Sequence, residues 1–212
     1  MHKPRIHRAM TIALKNRALV SVTDKSQLKQ FKRLANAGWE IVSTGGTAKA
    51  LAELGITYTL VECVTKFPEM MDGRLKTLHP NIFGGILADQ HNPEHMEAIA
   101  KHTIDCFGIV AVNLYNFSRK PGIENIDIGG PSLLRAAAKN HTSVAGICDP
   151  KDYEWVIDEI FEDGGLSLDS LERLAFRTFT ATAEYDTMIA QWMQERITHN
   201  IRLGDTSTTI EH

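Results

Sequence analysis

Short apolar runs alternate with amphipathic stretches through much of the chain. Between the first two runs, apolar positions in residues 26–37 recur at helical spacing and stop before Gly38. The runs themselves are rich in β-branched residues and cover residues 18–22, 40–43, 58–61, 107–112 and 143–148. This alternation predicts an α/β fold with a mainly parallel sheet flanked by helices.

Two regions depart from the alternation. Residues 66–85 are rich in Pro, Gly, Met and charge, which predicts a long functional loop. Residues 151–195 are predicted to be helical, with an amphipathic stretch from Leu171 to Met193. We expect this helical C-terminal tail to pack on the sheet or on a second subunit.

The amino-acid composition argues against a membrane, secreted, metal-binding or nucleic-acid-binding protein. Of the 212 residues, 43% are hydrophobic and 23% are charged, and the net charge is -3, which is typical of a soluble globular protein with no nucleic-acid footprint. No apolar run reaches the roughly 18 residues of a membrane span, and the start lacks a secretory signal. Cys63, Cys106 and Cys148 form no CxxC pair, and the histidines lack metal-ligand spacing. We therefore expect a cytoplasmic protein that binds no metal and no membrane.

The chain divides into three predicted parts. Residues 1–17 hold five Lys or Arg residues and no acid, and we interpret them as a disordered basic extension, with an organelle transit peptide as the alternative. Residues 18–195 form the predicted domain, and residues 196–212 form a C-terminal tail.

Polar residues follow the first two apolar runs. Thr23, Asp24 and Lys25 follow the first run, and Thr44, Gly45, Gly46 and Thr47 follow the second and open a predicted helix. In an open parallel sheet, ligands bind beyond the carboxyl ends of the strands. The two glycines leave backbone N–H groups at a helix N-terminus, which favours a phosphate or carboxylate. An ordinary strand-to-helix turn is the alternative.

Later polar clusters extend this pattern. The stretch of Arg74, Leu75, Lys76 and Thr77 places two cations close together, which suits a phosphate or a developing negative charge, although a solvated basic loop would look the same. Asn113, Leu114 and Tyr115 follow the run at 107–112. Their polar side chains either bind a planar amide or ring, or simply cap the strand.

The most distinctive stretch runs from Asp127 to His141. Asp127 precedes Gly129 and Gly130, so the backbone can pass close to a ligand, and Pro131 suits the first position of a helix. Lys139 leaves the far end of that helix. If it were desolvated beside another cation such as Lys76, Lys139 would be poised for proton transfer; otherwise it only interacts with the helix dipole.

Together these stretches resemble the IMP cyclohydrolase part of the bifunctional purine-synthesis enzyme that also carries AICAR transformylase. The segments run in the family's order from about residue 18 to residue 195. The matching pieces are SVTDKS (21–26), STGGTAKAL (43–51), FPEMMDGRLKTLHP (67–80), GGILA (84–88), NLYNF (113–117), IDIGGPSLLRAAAKNH (126–141) and TATAEYD (180–186).

The resemblance implies a methylglyoxal-synthase-like fold, a homodimer and a reaction without cofactors. In that reaction, 5-formamidoimidazole-4-carboxamide ribonucleotide (FAICAR) closes to IMP with loss of water. The catalytic residues implied are Lys139 for proton transfer, with Lys76, Tyr115 and Asp127 beside it. The implied substrate-binding residues are Thr23, Asp24, Lys25, Thr44, Gly45, Gly46, Thr47, Arg74, Leu75, Thr77, Asn113, Leu114, Ile128 and Gly129.

The chain departs from the family in four places. Thr44 stands where relatives have Ser, Asn116 stands where they have Pro, and the segment from Tyr115 to Asp127 is shorter. The fourth departure is that residues 1–212 contain no transformylase domain, so the chain is either a stand-alone cyclohydrolase or a fragment of a longer protein, and we expect no AICAR transformylase activity from this chain alone. Two other functions remain open: a phosphate-eliminating lyase like methylglyoxal synthase, and a non-catalytic nucleotide-binding regulatory module.

Overall fold

The computed structural model describes residues 10–203 and contains seven strands and eight α-helices within that range. The strands are β1 (Thr11–Ile12), β2 (Arg17–Val22), β3 (Glu40–Ser43), β4 (Thr59–Leu60), β5 (Ile109–Asn113), β6 (Ala145–Ile147) and β7 (Leu166–Ser167). The helices are α1 (Phe31–Asn36), α2 (Gly45–Glu53), α3 (Val61–Thr65), α4 (Pro80–Leu87), α5 (Pro93–Lys101), α6 (Gly129–Lys139), α7 (Tyr153–Asp163) and α8 (Leu168–Leu203).

Five strands form a parallel sheet in the order β4-β3-β2-β5-β6. The chain moves outward from β2 through β3 to β4, and then crosses back to place β5 on the other side of β2. Val22 pairs with Asn113 at the last position of β2 and β5. The carboxyl ends of these two strands therefore form a topological switch point, where ligands bind in open α/β sheets. The predicted α/β class is confirmed.

Helices cover both faces of the sheet because its central strands are apolar on both sides. One face packs alternate residues of β2, such as Ala18 and Val20, against α1 and α7. The other face packs Leu19 of β2 and Val110 of β5 against α4 and α6. Every residue of β5 is buried, as expected for a strand covered on both faces.

The C-terminal helix α8 is longer than the sequence pattern suggests. It packs on α6 and β6, and its inward positions include Leu171, Leu174, Thr178 and Tyr185, each at most 1% exposed. The predicted boundary between residues 195 and 196 falls inside α8, because the helix continues to Leu203. Residues 204–212 lie outside the described part. Within residues 10–203, no helix is both long and apolar enough to cross a membrane.

The N-terminal segment differs from the predicted extension. Thr11 and Ile12 pair with β7 in a small antiparallel sheet. Arg17 is the first residue of β2, where its Nε lies 2.8 Å from Glu40 and its guanidinium stacks 4.9 Å above the Phe107 ring. A disordered extension through residue 17 is therefore wrong for residues 11–17, because partners distant in sequence hold them; residues 1–9 lie outside the described range.

The predicted loop at 66–85 also ends earlier than expected. Helix α4 begins at Pro80, because Pro suits a first turn and the Nδ1 atom of His79 accepts the backbone N–H of Asn81 at 3.1 Å. The third predicted strand, at 58–61, is also shorter than expected, because helix α3 already begins at Val61. Helix α5, which the sequence pattern did not reveal, begins after Asn92, whose side chain accepts the N–H of Glu94 at 2.9 Å.

Candidate active site

The turn after β3 presents free backbone N–H groups to the switch point. Thr44 is extended (φ -105°, ψ 157°) and is the N-cap of α2, so the N–H groups of Gly45, Gly46 and Thr47 have no carbonyl partner within the helix. The Thr44 hydroxyl lies 2.9 Å from the Ser21 hydroxyl, which ties this turn to β2. A Cβ at Gly46 would meet no atom within 4 Å, so the turn is open to an anion.

The side chain of Thr47 is engaged within the protein and does not face a ligand. Its hydroxyl accepts the N–H of Val22 at 2.9 Å and donates to the carbonyl of Val22 at 3.1 Å. The side chain is only 2% exposed. Thr47 therefore fixes the end of β2 with its side chain and leaves only its backbone N–H for a ligand.

Asn113 likewise works as a support for the loop at 23–25. Its Oδ1 accepts the N–H groups of Thr23 at 2.7 Å and Asp24 at 2.9 Å, and its Nδ2 donates to the carbonyl of Asp24 at 3.0 Å. Lys25 is exposed, and its Nζ donates to the carbonyl of Thr23 at 3.3 Å. The Asn113 amide is thus engaged within the protein rather than turned toward a base, which favours the strand-capping alternative.

The basic loop lies beside the turn after β3. Residues 70–75 form a tight turn in which Met71, Asp72 and Gly73 all have positive φ. Beyond it, Lys76 is brought to the turn after β3, because its Nζ lies 3.7 Å from where a Cβ on Gly45 would stand. Two loops distant in sequence thus place an ammonium group beside free backbone N–H groups, an arrangement that suits an anion.

Carboxylates of the same chain hold both loop cations. Lys76 pairs with Glu69, and Arg74 pairs with Glu124. The pair at Lys76 is the less exposed of the two, at 21% for the lysine side chain against 64% for Arg74. An anionic ligand at the turn would therefore exchange with Glu69 for the Lys76 ammonium.

Asp127 stands at the other side of the switch point, at the entrance of α6. Its Oδ1 accepts the N–H of Gly130 at 2.9 Å. Burial raises the pKa of this carboxyl, and hydrogen bonds from the N–H groups of Gly130 and Gly129 oppose that shift. A Cβ at Gly130 would lie 2.3 Å from the Asp127 Oδ2, so glycine is required there for this placement.

The neighbours of Asp127 include several predicted site residues. Burial raises the pKa of Tyr115, and the charge of Asp127 raises it further, so the two residues lie near each other despite the short segment between them. Thr77 is buried, with its hydroxyl 3.0 Å from where a Cβ on Gly129 would stand, and Leu114 lies 3.2 Å from the same point on Gly130. Ile128 is 59% exposed at the start of α6.

Lys139 is not brought to this cluster. It is exposed and is the last residue of α6, an 11-residue helix whose first turn carries the Asp127 contacts. At 1.5 Å per residue, the helix separates the two ends by about 15 Å. Within one protomer, the structure thus favours the interaction with the helix dipole over proton transfer beside Lys76.

The switch point also opens into a cleft of ≈ 410 Å³, within the range of small-molecule sites. One wall contains Asp24, Asn113 and Leu114, and the other contains Phe176 and Arg177 of α8. Residues 10–203 contain no group of three or more His, Cys, Asp or Glu side chains placed to hold a metal ion.

Sequence reasoning missed several residues that shape the site. Glu69 and Glu124 pair with the loop cations, Ser21 supports the turn after β3, and Tyr185 of α8 donates and accepts hydrogen bonds beside Asp127. The TATAEYD segment contained the signal for Tyr185, but nothing in the sequence links it to Asp127. The pairing of Glu69 with Lys76 depends on the fold of the loop.

The chain is similar to two protein families and to several known proteins. The MGS-like domain family matches residues 27–142, and the AICARFT/IMPCHase bienzyme family matches residues 137–211. The bifunctional purine biosynthesis protein PurH of Streptococcus mutans is 49% identical over 191 residues, which cover 85% of this chain and 37% of that protein. PurH of Listeria welshimeri is 50% identical over 187 residues, covering 84% of this chain and again 37% of the relative.

The chain thus spans little more than a third of the length of these relatives. A solved structure, the crystal structure of ForH, superimposes with a TM-score of 0.74 at 30% identity and covers 82% of this chain and 96% of that one. The matched ranges contain the turn at Gly45, the loop at Lys76 and the Asp127 segment. The chain therefore belongs to the family of MGS-like domains.

Proposed function

We propose that the chain is an IMP cyclohydrolase, which closes FAICAR to IMP with loss of water in the last step of de novo purine synthesis. The observation that carries the proposal is the placement of Lys76 against the Gly45 turn, with Asp127 and Tyr115 on the other side of the same switch point. The matches to PurH proteins and to the AICARFT/IMPCHase family support it.

The reaction needs positioning and proton movement, because both reacting groups belong to one molecule. The carboxamide nitrogen attacks the formyl carbon and forms a C–N bond, and the formyl oxygen becomes a tetrahedral oxyanion. The carboxamide nitrogen then loses one proton, and the oxyanion is protonated to a hydroxyl. The C–O bond breaks as this hydroxyl takes up a second proton and leaves as water, while the formamide nitrogen loses its proton and forms the C=N bond of the new ring. No electrons are exchanged with another molecule, so the residues need only bind, orient and shuttle protons.

The ribonucleotide phosphate would bind at the N-terminus of α2. The N–H groups of Gly45, Gly46 and Thr47 and the Lys76 ammonium would supply its hydrogen bonds. Arg74 and Lys25 are exposed beside the switch point and would add positive charge. The ring would then reach across the ends of β2 and β5 toward Asp127.

At the reacting end, Asp127 would accept the carboxamide N–H and raise the electron density of its nitrogen. Tyr115 keeps its proton because its pKa is raised, so its hydroxyl would donate to the oxyanion. In the structure, the charge of Asp127 already raises the pKa of Tyr115. The ring closure would therefore be assisted by a hydrogen-bond acceptor, Asp127, and a hydrogen-bond donor, Tyr115.

Lys139 would take part only in a homodimer. Because α6 separates it from Asp127 of its own protomer by about 15 Å, the proton-transfer role implied by the resemblance requires a second copy. Phe176, 72% exposed, and Phe179, 40% exposed, lie on the exposed face of α8, and the Arg135 guanidinium lies 5.7 Å from the Phe179 ring. These aromatic rings support a self-association surface next to α6.

The free thiols support a cytoplasmic enzyme. Cys63, Cys106 and Cys148 form no disulfide, which suits a reducing compartment. The oligomeric state is tested by sedimentation at micromolar protein concentration, where we expect a dimer. A monomer that retains full turnover would contradict both the dimer and the role of Lys139.

The direct test adds synthetic FAICAR to the purified, chelator-treated chain and follows IMP by chromatography. Turnover that survives dialysis supports a cyclohydrolase without a metal. IMP binding by calorimetry with no turnover would point to a regulatory module instead. Release of inorganic phosphate from a triose phosphate would point to a methylglyoxal-synthase-like lyase.

A further inference from the structure

Tyr185 reaches from α8 into the segment that carries Asp127. Its hydroxyl accepts the backbone N–H of Asp127 at 2.8 Å and donates to the carbonyl of Asn125 at 3.3 Å. The side chain is only 1% exposed. One buried hydroxyl therefore satisfies two backbone groups of the segment, although 58 residues separate Tyr185 from Asp127.

The segment before Asp127 has few other supports of its own. Between β5 and α6 the backbone forms only short turns, at Phe117–Arg119 and Ile123–Asn125. Ile123 is 49% exposed on one side of the anchored residues, and Ile128 is 59% exposed on the other. Because this part of the chain is not in a sheet or a long helix, the Tyr185 hydroxyl has a large share in fixing where Asp127 lies.

Aromatic packing in turn fixes Tyr185. Its ring meets the Phe117 ring edge-on at 6.3 Å, and Phe117 meets the Trp192 ring at 5.4 Å. The Ser118 hydroxyl also lies 3.4 Å from the sulfur of Met188. Two turns of α8 thus hold both ends of the segment from Phe117 to Asp127.

We propose that Tyr185 is a positioning residue for the cyclisation, whose hydroxyl holds the backbone of Asp127 so that its carboxylate meets the reacting nitrogen. The inference rests on the proposed function, since it concerns the same site. It also gives α8 a part in the chemistry, because Tyr185 links the helix to Asp127 without itself reaching the substrate.

The electrostatic surroundings support a measurable effect. The charge of Asp127 raises the pKa of Tyr115, after β5, and the pKa of Tyr185, on α8, and the charge of Asp186, next along α8, also raises the pKa of Tyr185. Burial raises the pKa of Asp127. If the anchor is lost and the segment relaxes toward solvent, the pKa of Asp127 falls toward that of an exposed aspartate.

The test is Tyr185→Phe, which removes the hydroxyl and keeps the ring. A misplacement of about 1 Å at a reacting group costs on the order of 10²-fold in rate, so we expect kcat to fall about 10- to 100-fold with KM changed less than about threefold. The acid limb of the kcat profile should move to lower pH. Tyr58→Phe is the matched control, because Tyr58, just before β4, packs against the core on the face of the sheet covered by α1 and α7, and it should leave kcat unchanged.

Amide hydrogen exchange provides a readout that does not depend on activity. The N–H of Asp127 should exchange faster in Tyr185→Phe than in the wild-type chain, while the amides of β2 stay protected. Unchanged exchange at Asp127, or an unchanged kcat, would overturn the positioning role. A wild-type chain that protects Asp127 but makes no IMP would instead count against the proposed function, so the two failures are distinguishable.

Discussion

Gly130→Ala tests whether the carboxylate of Asp127 must stay where the structure places it. The backbone of Gly130 has no positive φ, so alanine can adopt it. The new methyl group would stand 2.3 Å from the Asp127 Oδ2. Since non-bonded atoms prefer separations near 3.5 Å, the carboxylate must move by about 1 Å. The Oδ2 atom is the end of a flexible side chain, so the carboxylate moves rather than the helix.

We expect Gly130→Ala to lower kcat and to leave the free energy of unfolding nearly unchanged. Displacement weakens the hydrogen bond between the Gly130 N–H and Asp127, which is 2.9 Å long. Alanine also has a helix propensity about 1 kcal/mol better than glycine, which offsets part of that loss. A general base or acceptor contributes about 10²- to 10⁴-fold to a rate, so we expect kcat to fall at least about 10²-fold while the fold stays intact.

The assay measures IMP formation from FAICAR alongside thermal unfolding of the same preparations. Ser132→Ala is the control on the same helix, because it removes a hydroxyl that donates to the Ile128 carbonyl at 2.7 Å and introduces no collision. We expect it to keep kcat within about twofold, because the backbone N–H of Ser132 still donates to the Ile128 carbonyl at 3.3 Å and the carboxylate of Asp127 is not displaced. A folded Gly130→Ala chain with wild-type kcat would show that the position of Asp127 does not matter for the reaction.

Three further predictions concern charge. Lys139→Ala should lower kcat about 10²- to 10⁴-fold, and Lys139→Arg should not restore it, because guanidinium stays protonated. If the lysine acts across a dimer, mixing Lys139→Ala chains with Asp127→Asn chains should restore part of the activity. Full activity in Lys139→Arg would reject the proton-transfer role. Glu69→Gln should tighten IMP binding by about two- to fivefold in calorimetry, since the phosphate no longer displaces a carboxylate from Lys76; weaker binding would contradict this exchange. Because the pKa of Asp127 is raised, kcat should begin to fall at a higher pH than it would with an exposed aspartate, since the ionised acceptor is lost as pH falls through that pKa. If Asp127→Asn leaves this fall in kcat at the same pH, the fall belongs to another group.

Much of the fold could be predicted from the sequence, because its signals are local. The apolar runs at 18–22 and 40–43 correspond to β2 and β3, and Gly38 and Gly55 have the positive φ expected after a helix. The turn at Gly45 was predicted for the same reason, since glycines between a strand and a helix have a fixed geometric meaning. Motifs of this kind need no distant partner to be recognised.

The site required the tertiary structure, because its decisive contacts join residues far apart in the chain. Lys76 meets the turn at Gly45, and Tyr185 anchors Asp127 across 58 residues. The sequence placed Lys139 beside Lys76 by resemblance, but the length of α6 separates it from the cluster. It left open whether the Asn113 amide binds a ligand or caps the strand, and in the structure this amide accepts the N–H of Thr23. The sequence by itself determined which elements form and which residue types follow each strand, since these depend on local periodicity and backbone preference. Only the tertiary structure determined which side chains face the candidate site and which support neighbouring loops, because that depends on which elements pack together.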